Sequence, residues 1–159
     1  MLCGNGLSQH KSCVHNSPML SLRRVHDLET IQQRLDASPF GPWWGLLVES
    51  GSDGISRVRL PHRRELQRLG GALHGGCAVV VADVAVWVAL MTVVEGGEDA
   101  LTVHLTTEYL AAARGDIIGT ARLIKVGRQL AVGVAEVCTD DGKIVSAHQV
   151  TYALPRKTG

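Results

Sequence analysis

Apolar positions along this chain change period several times, and each change marks a new element. Leu22, Val25, Leu28, Ile31 and Leu35 recur at steps of three and four, the spacing of one buried helical stripe. Ser17 and Pro18 stand where an N-cap and a first-turn proline belong, and Ser38-Pro39 stops the pattern, so an amphipathic packing helix is expected between them. From Trp44 the period shortens. Two apolar runs, 45–49 and 55–60, are joined by Ser52-Asp53-Gly54, a hairpin signature. A polar, irregular stretch from Pro61 to Gly71 leads to residues 77–94, which are almost wholly Ala, Val, Leu, Met and Trp. Beyond Gly97, Leu101, Val103, Leu105, Thr107 and Tyr109 alternate with Thr102, His104, Thr106 and Glu108, as in a strand with two distinct faces. Strands are also expected at 117–126, 130–138 and 144–153, set off by Arg114-Gly115-Asp116, Gly127-Arg128 and Asp140-Asp141-Gly142. Such short connections make neighbours antiparallel.

The apolar run 77–94 admits three readings. As a transmembrane helix it approaches the minimum span, but Asp83 sits near its middle and no Lys or Arg flanks it, which hydrocarbon opposes. As a pair of buried strands it lacks a turn signal. The favoured reading is a helix apolar on all sides because protein surrounds it, opened by Gly75-Gly76 and closed by Gly96-Gly97. One such helix and one long antiparallel sheet give an α+β domain whose sheet must curl around the helix to cover it.

Composition narrows the class. With 159 residues, one domain over 17–155 is expected, preceded by a disordered leader at 1–16 and followed by a tail at 156–159. Lys plus Arg number 16 against 15 for Asp plus Glu, so neither a nucleic-acid groove nor an anionic membrane surface is implied. Cys3, Cys13, Cys77 and Cys138 have no tight spacing and no secretory apolar segment precedes them, which fits a reducing cytoplasm rather than a disulfide framework. Cys3, His10, Cys13 and His15 form no metal-ligand spacing, and no metal is expected.

Two features carry chemistry. His74-Gly75-Gly76 stands at the entry to the apolar helix, where unpaired N–H groups and the positive end of the helix dipole can polarise a carbonyl; a simple tight turn is the bland alternative. Asp83 is a carboxylate inside an apolar helix, costly unless it is used or paired, and a structural Asp bonded to backbone is its bland alternative. Eight residues of helix separate Gly75 from Asp83 by about 12 Å, too far for one reacting carbonyl to touch both within one chain. If both serve one site, Asp83 comes from a second subunit, and a symmetric dimer with two composite sites follows.

His74-Gly75-Gly76 followed by Asp83, then Leu101-Thr102-Val103, then Gly127-Arg128, resembles the hotdog-fold acyl-CoA thioesterases of the phenylacetate-degradation type over about residues 39–154. The resemblance implies a sheet wrapped on a central helix, subunits that pair their sheets as a dimer or dimer of dimers, and hydrolysis of an acyl- or aryl-CoA. It makes Asp83 the acid, Gly75 the carbonyl-polarising amide with Gly76 nearby, His74 a brace for the turn, and Thr102 the hydroxyl that orients water. Gly127 and Arg128, with Lys125, would contact coenzyme A, which belongs to the substrate; no separate cofactor is implied. Many members carry Asn six residues before the His, where this chain has Arg68, a residue that would either meet a CoA phosphate or the acyl group or stand solvated on the surface. That departure keeps open a non-catalytic acyl-CoA-binding module. A dehydratase on the same fold is opposed by the His-Gly-Gly context. Trp43, Trp44 and Trp87 are read as pocket walls or core, and His26, His62, His104 and His148 as ordinary surface, loop or strand residues.

Overall fold

Helix and strand boundaries in the computed structural model, which describes residues 25–156, follow from where backbone groups find partners. Helix α1 spans Leu28–Asp36 and buries Ile31 and Leu35. Its N-cap is Asp27, whose side chain accepts from the Thr30 N–H at 2.8 Å, and Val25 is pinned by its own N–H to the Thr92 carbonyl. The expected leader and Ser17-Pro18 lie outside the described residues. A single helical turn, α2 (Phe40–Trp44), follows and closes on Gly45 at φ +69°. Gly45 therefore ends a helix rather than opening the hairpin.

Strands β1 (Leu47–Ser52) and β2 (Ile55–Leu60) are joined through Asp53 and Gly54 at φ +51° and +75°, the left-handed pair that a two-residue hairpin needs. The apolar run is one helix, α3, over Gly75–Met91. The two glycines form its first turn, with His74 as N-cap. It stops at Met91 rather than Val94 because the buried Thr92 hydroxyl donates to the Ala89 carbonyl while accepting from the Gly54 N–H. Helix α3 is 17 residues long, and no helix among the described residues is long and apolar enough to cross a membrane.

Strands β3 (Leu101–Tyr109), β4 (Ile117–Val126), β5 (Leu130–Thr139) and β6 (Ile144–Ala153) complete one antiparallel sheet in the order β1-β2-β4-β5-β6-β3. All six strands touch α3, so the sheet wraps the helix: this is the hotdog fold. Burial explains the choice of residues. Val81, Ala82, Ala85, Val86, Val88, Ala89 and Leu90 of α3 are buried, and the sheet approaches them closely where it carries glycine. A Cβ on Gly119 would lie 2.7 Å from Val81 Cγ1 and 3.1 Å from the Val81 carbonyl oxygen. The second of these atoms is helix backbone and cannot swing away. Gly119→Ala is therefore expected to lower stability by about 1–3 kcal/mol, read as a reduced urea midpoint at unchanged m-value. An unchanged midpoint would mean that helix and sheet can part at no cost.

On the outer face Arg59 ties β2 to Glu49 of β1 and to Asp116 and Asp140. These contacts hold Glu49 and Asp116 below the ordinary carboxylate range. In Glu49 burial works the other way, and the hydrogen bonds from Arg59 and Arg57 win. In Asp116 the His62 N–H does most, opposed by burial and helped by Arg59.

Strand β3 departs from the alternation read in the sequence. Its register against β6 slips between Thr102 and His104, a bulge with one extra residue. Thr102 consequently shares the inner face with Leu105 and Thr107 instead of opposing them. β3 is also a sheet edge, and it leaves Leu101, Val103 and Tyr109 at 70%, 57% and 58% exposure.

Candidate active site

The start of α3 disposes of its amides one by one. The Gly76 N–H donates to His74 Nδ1 at 3.0 Å, and the Cys77 N–H donates to the His74 carbonyl at 2.9 Å. Because Nδ1 accepts, the neutral ring carries its proton on Nε2. Among the described residues the Gly75 N–H has no acceptor. Gly75 lines a cleft of about 220 Å³ walled also by Leu73, Ala78, Tyr109 and Ala113, with Arg68 and His74. The Tyr109 ring lies 3.0 Å from where a Gly75 Cβ would be. A side chain there would push the ring aside, so glycine keeps the amide open to an incoming atom.

Asp83 lies two turns further along and opens into a different cleft. This one, about 550 Å³, is lined by Leu35, Phe40, Val84, Trp87 and Thr102, with Arg34 and Glu98 at one side. Two hydroxyls converge on one carboxylate oxygen: Thr102 Oγ1 donates to Asp83 Oδ1 at 2.9 Å, and the single proton of the Tyr152 hydroxyl is shared between the same atom at 2.9 Å and the Asp83 carbonyl at 3.0 Å. Among the described residues Oδ2 has no hydrogen-bond partner. Burial pushes the Asp83 carboxyl above its ordinary value, and the hydroxyls of Tyr152 and Thr102 offset only part of that rise. The Tyr152 phenol is raised further, by burial first and by the neighbouring Asp83 charge second, so it remains a donor.

An unpartnered helix N-terminal amide can polarise a carbonyl, and a carboxylate oxygen without a hydrogen-bond partner can attack or take a proton, which are the two capacities that acyl transfer requires. Other residues singled out in the sequence fall as follows. Arg68, His74 and Gly75 share one cleft. Gly127 and Arg128 line a third cleft of about 1000 Å³ with Gln129, Pro155 and Arg156, whereas Lys125 lies exposed on β4 and is not part of that lining. Trp87 borders the Asp83 cleft, while Trp43 packs edge-on to Trp44 at 4.9 Å under Arg63. His148 is held inside the sheet by Ser146 and Thr107, and burial lowers its pKa to about 4, so it is neutral at neutral pH. Among the described residues no group of three or more His, Cys, Asp or Glu is placed to hold a metal ion.

Tyr152 is the residue that sequence reasoning missed. It reads as one more inward position of β6, and its hydroxyl acquires meaning only because β6 pairs it directly with Thr102. Phe40, Arg34 and Glu98 were missed too, since they reach the cleft from α1, α2 and a short turn after α3.

Comparison with known proteins agrees with this geometry. Residues 70–146 match the model of the thioesterase superfamily, a stretch that holds both Gly75 and Asp83. The chain is 35% identical to a Halobacterium salinarum protein named "Putative esterase VNG_1336C", over 67% of this chain and 73% of that one. It is 24% identical to the 1,4-dihydroxy-2-naphthoyl-CoA hydrolase of Listeria monocytogenes, over 71% and 93% of the two chains. The crystal structure of zebra fish thioesterase superfamily member 2 superposes with a TM-score of 0.73 at 28% identity, covering 82% of this chain and 99% of that one. The curled sheet and these relatives together show that the chain belongs to the thioesterase superfamily.

Proposed function

We propose that this chain hydrolyses the thioester of an acyl- or aryl-CoA to the free acid and CoA, in sites built from two copies of itself. The single observation that supports this most is the disposition of the helix α3 amides and acid. The Gly75 N–H is unpartnered in one cleft, and Asp83 Oδ2 is unpartnered in another. About 12 Å of helix lies between them. The edge strand β3, nine residues long with Leu101, Val103 and Tyr109 exposed, offers backbone for pairing with a second copy, which would bring the Gly75 cleft of one chain to the Asp83 cleft of the other.

In this reading the thioester carbonyl oxygen accepts from the Gly75 N–H, which stabilises the charge that develops there. Asp83 Oδ2 of the partner subunit either attacks the carbonyl carbon or takes a proton from the attacking water. Where Asp83 attacks, the tetrahedral adduct expels the CoA thiolate and leaves a mixed anhydride that water then cleaves, freeing the acid and restoring the carboxylate; where Asp83 acts as base, the water oxygen becomes the new acid oxygen and the proton on Oδ2 passes to the departing thiolate. His74 holds the Gly76 amide and so keeps the turn in place. Arg128, with Arg156 beside it in the same cleft, suits the phosphates of CoA, and Arg68 stands at the mouth of the carbonyl cleft. Leu35, Phe40 and Trp87 supply an apolar wall next to Asp83 that fits a hydrocarbon or aromatic acyl group. The CoA hydrolase named among the relatives supports this substrate class.

The experiment is thiol release from a panel of acyl-CoA and aryl-CoA esters. Catalytic release of free CoA from at least one of them is expected. Binding of these esters with no thiol above background would replace the hydrolase by a binding module, the role that Arg68 in place of the usual Asn would favour.

A further inference from the structure

We infer that Tyr152 is a positioning residue for the reaction, fixing Asp83 through Oδ1 so that Oδ2 is the oxygen presented to the substrate or its water. This rests on the reading of Asp83 as the reacting carboxylate. A carboxylate on a helix can turn about two bonds, and its two oxygens are chemically alike until something distinguishes them. Here the distinction is made by two hydroxyls from neighbouring strands, Thr102 on β3 and Tyr152 directly opposite it on β6, both within 2.9 Å of Oδ1.

The two hydroxyls are not equivalent. Tyr152 is almost wholly buried, at 3% exposure, and its hydroxyl proton is shared with the main-chain carbonyl of Asp83 at 3.0 Å. It is thereby tied to the backbone of α3 as well as to the side chain, so its position does not depend on the carboxylate's rotamer. Its ring is locked by the core on the other side. Thr102, by contrast, sits at the bulge of β3 and reaches Asp83 through Oδ1 alone. The rigid donor is Tyr152, and a rigid donor is what holds a reacting group within a few tenths of an ångström of its working geometry.

A buried tyrosine can also be a mere space-filler whose hydroxyl takes whichever acceptor is near. The two roles differ in what the hydroxyl does for the ionised acid. A donor to the carboxylate favours its charged form, against the burial that opposes it. The other charged groups near this acid are Arg34 of α1 and Glu98 of the turn after α3. They face each other at 3.6 Å, with His26 3.8 Å from Glu98. Removing the Tyr152 hydroxyl should therefore raise the pH at which Asp83 ionises, and filling the same space with phenylalanine should not prevent it.

The test compares wild type, Tyr152→Phe, Asp83→Asn and the double variant over pH. Tyr152→Phe is expected to lower kcat by about ten- to a hundredfold, the range for a hydrogen bond to a charged group, with KM little changed. The acid limb of its kcat/KM profile should move to higher pH. In the Asp83→Asn background the same change should cost less than about twofold, because the two act as one unit. Independently of turnover, the 13C-labelled Asp83 carboxyl should titrate at higher pH in Tyr152→Phe by NMR. An unmoved limb together with an unmoved titration would overturn the inference while leaving Asp83 in the mechanism. Near-normal turnover by Asp83→Asn would instead remove the reading on which it rests, and the inference with it.

Discussion

Asp83→Asn is expected to lower kcat by about three to four orders of magnitude, the range for loss of a reacting base or nucleophile, while leaving KM within a few-fold. Asparagine has nearly the shape of aspartate, and its side-chain oxygen can still accept from Thr102 and Tyr152, so the cleft should keep its form. The amide nitrogen, however, replaces Oδ2, the oxygen that neither hydroxyl holds, and it can neither attack a thioester nor take a proton. The wild-type rate should rise with pH as Asp83 ionises, at a pH above the ordinary carboxylate value of 3.8 because burial opposes the charge. The same shift fixes the stability effect. A carboxyl whose folded pKa is raised holds more protons folded than unfolded between the two values, so its contribution to stability falls as pH rises through that window. Asp83→Asn removes that cost. The variant should melt no lower than wild type at neutral pH, and any advantage should vanish below pH 3.8. An inactive but equally stable variant is the signature of an acid kept for chemistry. Near-normal turnover at neutral pH would take Asp83 out of the mechanism, and a marked loss of Tm would make it a structural residue.

Much of this site was legible because single residues break strong local patterns. One acid in seventeen residues of otherwise apolar helix is conspicuous, and so is His-Gly-Gly where that helix starts. Asp53-Gly54 marked its hairpin for a similar reason, since few residues accept two successive left-handed conformations. What could not be read depends on which atoms meet across long separations. The start of α1 at Leu28 is set by Asp27, whose side chain accepts from the Thr30 N–H, and an apolar stripe alone does not mark that residue as the cap. α2 is one turn long and leaves no periodic trace. The bulge after Thr102 exchanges the faces of β3 and is set by pairing with β6, some fifty residues away in sequence. Tyr152 was invisible for that same reason: as an alternating apolar position it is unremarkable, and only register brings it to Oδ1. Local chemistry announces the candidate reacting groups, therefore, while the groups proposed to aim them are fixed by tertiary contacts.

Gly75→Pro should abolish most activity without unfolding the chain, and mixing it with Asp83→Asn should bring activity back. Proline deletes the one N–H that the proposed mechanism needs, and the position tolerates it. Gly75 is the first residue of α3, where a missing N–H breaks no helical bond, and His74 before it has φ −65° and ψ +140°, the extended conformation that a following proline demands. The new ring displaces Tyr109, a half-exposed side chain with room to move. Loss of a single donor to a developing oxyanion lowers kcat by about a hundred- to a thousandfold. In a hybrid dimer with an Asp83→Asn partner, one composite site joins an intact Gly75 amide to an intact Asp83, and the other carries both lesions. Random exchange makes about half the dimers hybrid, each with one of its two sites whole, so about a quarter of wild-type activity should return. If both groups instead acted within one chain, every site in the mixture would carry one lesion. The rate would then stay at the level of the separate variants, however thoroughly the subunits exchanged. Native mass spectrometry of the mixture shows whether hybrids formed, so an absence of rescue in their presence would exclude the shared site.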